Sequence, residues 1–285
     1  MCTVISIINN KGGVGKTTSA SILSQLLAHS GQKTLAIDLD GQSNLSVMLG
    51  SYEEDNEDIQ FGYEQPEHPN IAELFRYRYR SEAELQSIIK STAVPNLDII
   101  PSSKRHKHTQ TALISNQTGN NNVILKRALD PIKNRYDFII IDNAPSSDVL
   151  TVNSMIASDY VIVPVRMEGF SYKGFMETYD TINYIKEEHG IDSLTFKGTF
   201  ITQAEKNTNI YKDLHSTYHE ELADSFLKTS IRKDVKINEL ETVYAPVMDY
   251  CPKSNAVTDY ATLLLELDVL DTAASERLRH LTGIQ

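Results

Sequence analysis

The residues with the clearest chemical potential are Asn-Lys-Gly-Gly-Val-Gly-Lys-Thr-Thr at positions 10–18. An apolar, β-branched run, Val4 to Ile8, precedes them. Ile22, Leu23, Leu26 and Leu27 follow at helical spacing. A glycine-rich turn from strand to helix is a phosphate cradle. Gly12, Gly13 and Gly15, with Val14 between them, let backbone N–H groups curl around phosphate oxygens without Cβ clashes. The helix opening near Lys16 aims its positive end at the same anion. Lys16 supplies a point charge to the terminal phosphates, the Thr17 hydroxyl suits Mg²⁺, and Thr18 completes the cradle. The common form of this loop begins with glycine. Here Asn10 stands in that place, with a second lysine, Lys11, directly after it.

Two acidic sites complement the loop. Ala36-Ile37-Asp38-Leu39-Asp40 ends a strand with carboxylates two residues apart. In a doubly wound sheet the carboxyl ends of strands face the ligand crevice. One carboxylate can order metal-bound water and the other can orient an attacking water. Phe138-Ile139-Ile140-Ile141-Asp142 is an apolar run closed by an aspartate, the second metal-side carboxylate of a phosphate-loop site.

These residues need a scaffold that brings strand ends together. Strands are expected at Val4–Ile8, Thr34–Ile37, Leu97–Ile100, Phe138–Ile141, Tyr160–Val163 and Phe196–Ile201. Helices are expected at Asn122–Asn134, Val149–Ala157, Tyr172–Glu188 and Asn255–Leu267. The alternation predicts an α/β fold, a mostly parallel doubly wound sheet with helices on both faces, as one domain over residues 1–285. The acidic stretch from Glu53 to Asp58 reads as a surface excursion, around residues 51–70, within that domain.

Composition sets limits. The chain has 40% hydrophobic and 23% charged residues, enough to bury a sizeable core. A net charge of −11 excludes a surface coated for nucleic acid, while leaving room for a local basic patch. Two cysteines, Cys2 and Cys251, without a CxxC pair, exclude a disulfide scaffold and predict a reduced cytosolic setting. No stretch approaches the roughly 20 apolar residues that span a bilayer.

The pattern resembles the ParA/MinD group of deviant Walker-A ATPases. The resemblance rests on Lys11–Thr18, Asp38–Asn44, Tyr136–Pro145, Asn153, Val161–Val165 and the block Ala245–Tyr260. It implies a P-loop ATPase that binds ATP and Mg²⁺. Lys11 would be the signature lysine, reaching across a face-to-face homodimer. Lys16 and Thr17 would hold phosphate and metal. Asp40 would position the hydrolytic water, with Asp38 and Asp142 on the metal side. Pro246 would contact the base. Where the family usually has proline after the second aspartate, this chain has Gly41.

Within the group, the cysteines do not suit an iron–sulfur branch. The end from Ser275 to Gln285 is too modestly basic for a MinD-like membrane helix and reads as a frayed tail or a packing helix. The partition ATPases fit best. The chain begins just before the phosphate loop, so a separate N-terminal DNA-reading domain is not expected. The branch implies a ParB-like partner, slow and partner-stimulated hydrolysis, a nucleoid location when ATP is bound, and non-specific DNA binding. Arg232, Lys233 and Lys236 are the candidates for that contact. Two further basic clusters, Arg76-Tyr77-Arg78-Tyr79-Arg80 and Lys104–His108, stand out beside them, and each reads more simply as a solvated helical face or loop than as a DNA contact. The alternatives are a positioning or regulatory ATPase acting at a membrane or on a protein complex, and a small-molecule ligase of the dethiobiotin-synthase type.

Overall fold

Three consecutive isoleucines, Ile139 to Ile141, can sit in one strand only if both faces are covered, because alternate side chains point to opposite sides. The fold meets that demand. A computed structural model describes residues 2–51, 69–77, 81–106, 109, 111, 113, 120–167 and 172–284. Its strands are β1 (Thr3–Ile7), β2 (Thr34–Asp38), β3 (Lys90–Ser91), β4 (Leu97–Ile100), β5 (Phe138–Asp142), β6 (Tyr160–Arg166) and β7 (Thr195–Thr202). They form one sheet in the order β3-β4-β2-β5-β1-β6-β7. Every pairing is parallel except that of β3 with β4.

The alternation assigns the layers. Ile140, Ala36 and Ile5 pack with the helix Lys16–His29 and the helix Asn255–Glu266. Their neighbours Ile139, Ile141, Leu35, Ile37 and Val4 pack on the opposite face with the helices Ile71–Tyr77 and Ile124–Leu129. A third apolar cluster surrounds β6 and β7 with the helices Tyr172–His189 and Asn209–Leu222. Asp142 follows Phe138 and Ile140 in parity, and Asp38 follows Ala36. Both aspartates therefore share the face that carries the helix after the phosphate loop.

Several expected elements gain or lose residues for identifiable reasons. The helix expected at Asn122–Asn134 is broken into a short 3₁₀ turn, the helix Ile124–Leu129 and a second turn at Lys133–Arg135. Pro131 lacks the N–H that a continuous helix needs. β2 and β5 each run one residue further than expected, to Asp38 and Asp142, so the two acids belong to the ladder itself. The C-terminal segment is a packing helix, Thr272–Thr282. It buries Ala274 and Leu278, and its Arg277 Nε donates to Ser30 O at 2.5 Å. The acidic stretch at residues 53–58 lies outside the described residues, as do Arg78, Tyr79, Arg80, Lys107 and His108.

Candidate functional site at the carboxyl edge of the sheet

The phosphate loop leaves β1 at the centre of the sheet. Gly13 and Gly15 adopt φ of +71° and +86°, the left-handed region where a Cβ is strained. Around Gly12 and Gly13 the space a Cβ would occupy is open, as a cradle for a ligand requires. The helix Lys16–His29 starts at Gly15 with no side-chain cap, so its first turn offers N–H donors to an anion. Three contacts hold the loop. Asn9 Nδ2 donates to Pro164 O at 2.8 Å, Lys11 N donates to Asn9 Oδ1 at 2.8 Å, and the buried Thr202 hydroxyl donates to Val14 O at 2.8 Å. Asn10, the departure from the common pattern, accepts a 2.8 Å hydrogen bond from the Ser147 hydroxyl, which belongs to the turn after β5.

Lys16 is folded into the loop. It is 6% exposed, and its Nζ donates to Lys11 O at 3.1 Å. Burial lowers its pKa, and the carboxylates of Asp142 and Asp40 pull it back up. Lys11 is exposed at the rim.

Asp38 and Asp142 are paired directly across β2 and β5, and both are fully buried. Their surroundings differ. Asp38 Oδ2 accepts from Ser46 N at 2.9 Å and Ser46 Oγ at 2.7 Å, and Asp38 Oδ1 accepts from Asp40 N at 3.0 Å. Burial pushes its pKa up to about 6 against the pull of those donors. Neither oxygen of Asp142 has a hydrogen-bond partner. Burial and then the neighbouring Asp38 raise its pKa well above the carboxylate range, and the nearby Thr17 hydroxyl and Lys16 lower it. Asp40 is half-buried at the start of a turn, its Oδ1 accepting from Gln42 N at 2.8 Å.

A bare buried carboxylate beside a hydroxyl and a phosphate cradle fits a small hard cation. Mg²⁺ uses one or two carboxylates and fills its remaining positions with phosphate oxygens and water. Among the described residues, no group of three or more His, Cys, Asp and Glu side chains could hold a metal.

The remaining candidates lie further off. Pro246 begins the short helix Val247–Tyr250, and Val247 N donates to Gln25 Oε1 at 2.7 Å. Gln25 lies nine residues beyond Lys16, roughly 13 Å along the helix axis. Arg232 is forked onto Asp259, with Nε and Nη2 each 2.8 Å from a carboxylate oxygen, and Nη2 also donates to Asn255 O at 3.2 Å. Lys233 pairs with Glu205 at 2.7 Å on the surface, and Lys236 Nζ stands 5.5 Å from the Tyr250 ring centroid. In the second basic cluster, His106 is turned inward at 1% exposure, with its ring 5.9 Å from Phe75, so this cluster is not one solvated face. Burial lowers the His106 pKa to about 4 and keeps the ring neutral at pH 7.

Ser46, Thr202, Asn9 and Ser147 are supporting residues that sequence reading does not single out. A hydroxyl 8 residues from its carboxylate, or 188 from its carbonyl, leaves no local signal.

A cradle of left-handed glycines, a buried lysine and two strand-end aspartates on one mostly parallel sheet define a phosphate-loop nucleotide-binding protein. A family described as an AAA domain matches residues 2–195. The sporulation initiation inhibitor protein Soj of Bacillus subtilis is 32% identical, over 94% of this chain and 98% of its own. The chromosome-partitioning ATPase Soj of Treponema pallidum is 29% identical over 95% of this chain and 99% of its own. A putative plasmid partition protein from Borrelia burgdorferi, solved with AMPPNP, superposes with a TM-score of 0.70 at 26% identity, covering 93% of this chain and 97% of that one. The chain belongs to the ParA/MinD family of phosphate-loop ATPases. No described helix is long and apolar enough to cross a membrane.

Proposed function

We propose that this protein is a Mg²⁺-dependent ATP hydrolase of the partition type, which binds DNA without base reading as an ATP-bound homodimer and is stimulated by a ParB-like partner. The observation that carries the chemistry is Asp142, a fully buried strand-end carboxylate beside the glycine cradle, with the Thr17 hydroxyl and the Lys16 charge as the groups that lower its pKa. Relatives named as chromosome-partitioning proteins in Treponema pallidum and Myxococcus xanthus support the biological setting. Structural neighbours solved with AMPPNP, or with an ATP analogue and magnesium, support the ligands.

In this reading Gly12, Gly13, Val14, Gly15, Lys16, Thr17 and Thr18 surround the phosphates. Thr17 and Asp142, with Asp38 beside them, hold the cation, which when bound neutralises phosphate charge. Asp40 orients the attacking water, Lys11 reaches the nucleotide of the second subunit, and Pro246 lies on the base side. Lys233, Lys236 and Arg232 from both subunits form the DNA contact. Arg232 enters that role with its fork engaged by Asp259. The Lys233–Glu205 pair is exposed on both sides and of the kind that contributes little, so phosphate can replace Glu205.

The test has two arms. Light scattering with ATP should show a dimer for the parental protein and a monomer for Lys11→Ala. Filter binding to random duplex DNA should need ATP, fail with ADP, and weaken steeply with salt, by about 0.9 in log K per neutralised phosphate for each decade of salt. DNA binding equal with ATP, ADP and no nucleotide would defeat the partition reading. ATP-dependent retention on anionic vesicles, without retention on DNA, would favour a positioning ATPase instead.

A further inference from the structure

Ser46 is fully buried and joins three parts of the carboxyl edge through a single hydroxyl. Its Oγ donates to Asp38 Oδ2 at 2.7 Å and accepts from Ser102 N at 2.8 Å. A serine hydroxyl has one proton. Because the Ser102 N–H arrives on a lone pair, that proton is committed to Asp38. The Ser46 amide adds a second bond to the same oxygen, and the Asp40 amide takes the other. The plane of the Asp38 carboxylate is thereby fixed from both sides.

The local helix repeats the arrangement. Ser43 precedes the short helix Asn44–Met48, yet its side chain makes no capping bond, and its hydroxyl is buried without a partner. The helix instead takes its capping oxygen from Asp38 on β2. The strand-end carboxylate, the helix after the Asp40 turn and the segment that follows β4 are one bonded unit. Beyond Ser102 that segment runs into Ser103 and the turn Lys104–His106, where His106 N donates to Ser103 O at 2.9 Å.

We propose that Ser46 is a positioning residue for the metal-dependent step. Its hydroxyl holds Asp38 in the orientation that a cation at Asp142 requires, and it makes that orientation depend on where the chain at Ser102 sits. The proposal rests on the reading of the site as a Mg²⁺-dependent ATPase. Ser46 touches neither nucleotide nor metal and acts only through Asp38. A shift of the segment at residues 101–106 pulls on the Ser102 N–H and is passed through this hydroxyl to the site.

The experiment compares the parental protein with Ser46→Ala and Ser46→Thr. Without nucleotide, amide hydrogen exchange at Ser102 should accelerate about tenfold in Ser46→Ala, since the N–H loses its acceptor, and return to the parental rate in Ser46→Thr. The Mg²⁺ concentration that half-tightens a non-hydrolysable ATP analogue should rise about tenfold in Ser46→Ala, and kcat should fall by a similar factor. Analogue affinity without Mg²⁺ should stay within about twofold, because the phosphate cradle is untouched. Ser46→Thr keeps the hydroxyl and should restore all three. If Ser46→Ala proves too unstable to assay, Ser46→Cys, with its weak S–H donor, should show the same loss in milder form. Parental Mg²⁺ dependence and kcat in Ser46→Ala or Ser46→Cys, or a Ser46→Thr variant as impaired as Ser46→Ala, overturns the proposal while leaving the ATPase reading intact. Absence of any Mg²⁺ dependence in the parental protein defeats both.

Discussion

Asp38 and Asp142 are partners in the sheet register, equally buried and on the same face, yet one is saturated and the other is bare. Asp38 receives three protein donors. Asp142 has no donor in good hydrogen-bond geometry, and the Thr17 hydroxyl and Lys16 are the groups that favour its charge. A buried carboxylate is costly unless hydrogen-bonded or paired. Asp38 is thus satisfied within the protein and shapes the loop around it, whereas Asp142 carries a cost that a bound cation would relieve. In the proposed reading, the pair sets two acids side by side, Asp38 tied into the loop by protein donors and Asp142 left for a cation.

The largest effect should come from Lys16, the cation on which Asp142 and Asp40 act. Lys16→Ala should weaken ATP binding by at least about 100-fold, since it removes the one buried ammonium of the loop. Calorimetry showing near-parental affinity would end the assignment. Next, Asp142→Asn should lower kcat by about 100-fold or more, as expected for a lost metal-side charge.

The same two acids should respond with opposite signs to isosteric neutralisation in nucleotide-free protein. Asp142→Asn removes the burial cost of a carboxylate and, above the raised pKa, should stabilise the fold by about 1–3 kcal/mol. Asp38→Asn turns an NH₂ toward existing donors and should destabilise it by a similar amount. Denaturant unfolding of both variants checks this, and equal signs would break the contrast between the acids.

The pH dependence sharpens it. Asp142 has a folded-state pKa raised above its unfolded value. The folded form then binds the proton more tightly, so its destabilising contribution is present at high pH and fades as pH falls through the raised value. The stabilisation of Asp142→Asn should grow as pH rises and shrink on acidification. A gain that grows toward low pH would contradict the shift. The smallest effect belongs to the rim. Asn10→Gly restores the common loop pattern and removes the bond from Ser147, and should change kcat by only a fewfold, about the value of one exposed hydrogen bond.

Much of this site is legible in the residues alone. The loop at 10–18 is distinctive in itself, the aspartates at 38, 40 and 142 gain meaning beside it, and the continuous apolar runs around them become strands close to their expected limits. What escapes is long-range or polar. Thr202 holds Val14 from 188 residues away, and Ser46 reads as one more serine in a polar turn. The helix Asn209–Leu222 carries few aliphatic residues among its tyrosines, histidines and charges, and Val235–Val243 is only 9 residues long, so neither stands out as an apolar run. The fork between Arg232 and Asp259 spans 27 residues and changes what the guanidinium can do, which no basic cluster in a sequence reveals.

The most direct measurement is a Mg²⁺ titration of binding to a non-hydrolysable ATP analogue, in the parental protein and in Asp142→Asn. If the bare carboxylate awaits the cation, Mg²⁺ should tighten parental binding about tenfold or more and leave Asp142→Asn almost unchanged. The same Mg²⁺-dependent tightening in both proteins would show that the cation is held elsewhere, and that the empty coordination of Asp142 is not what the site is built around.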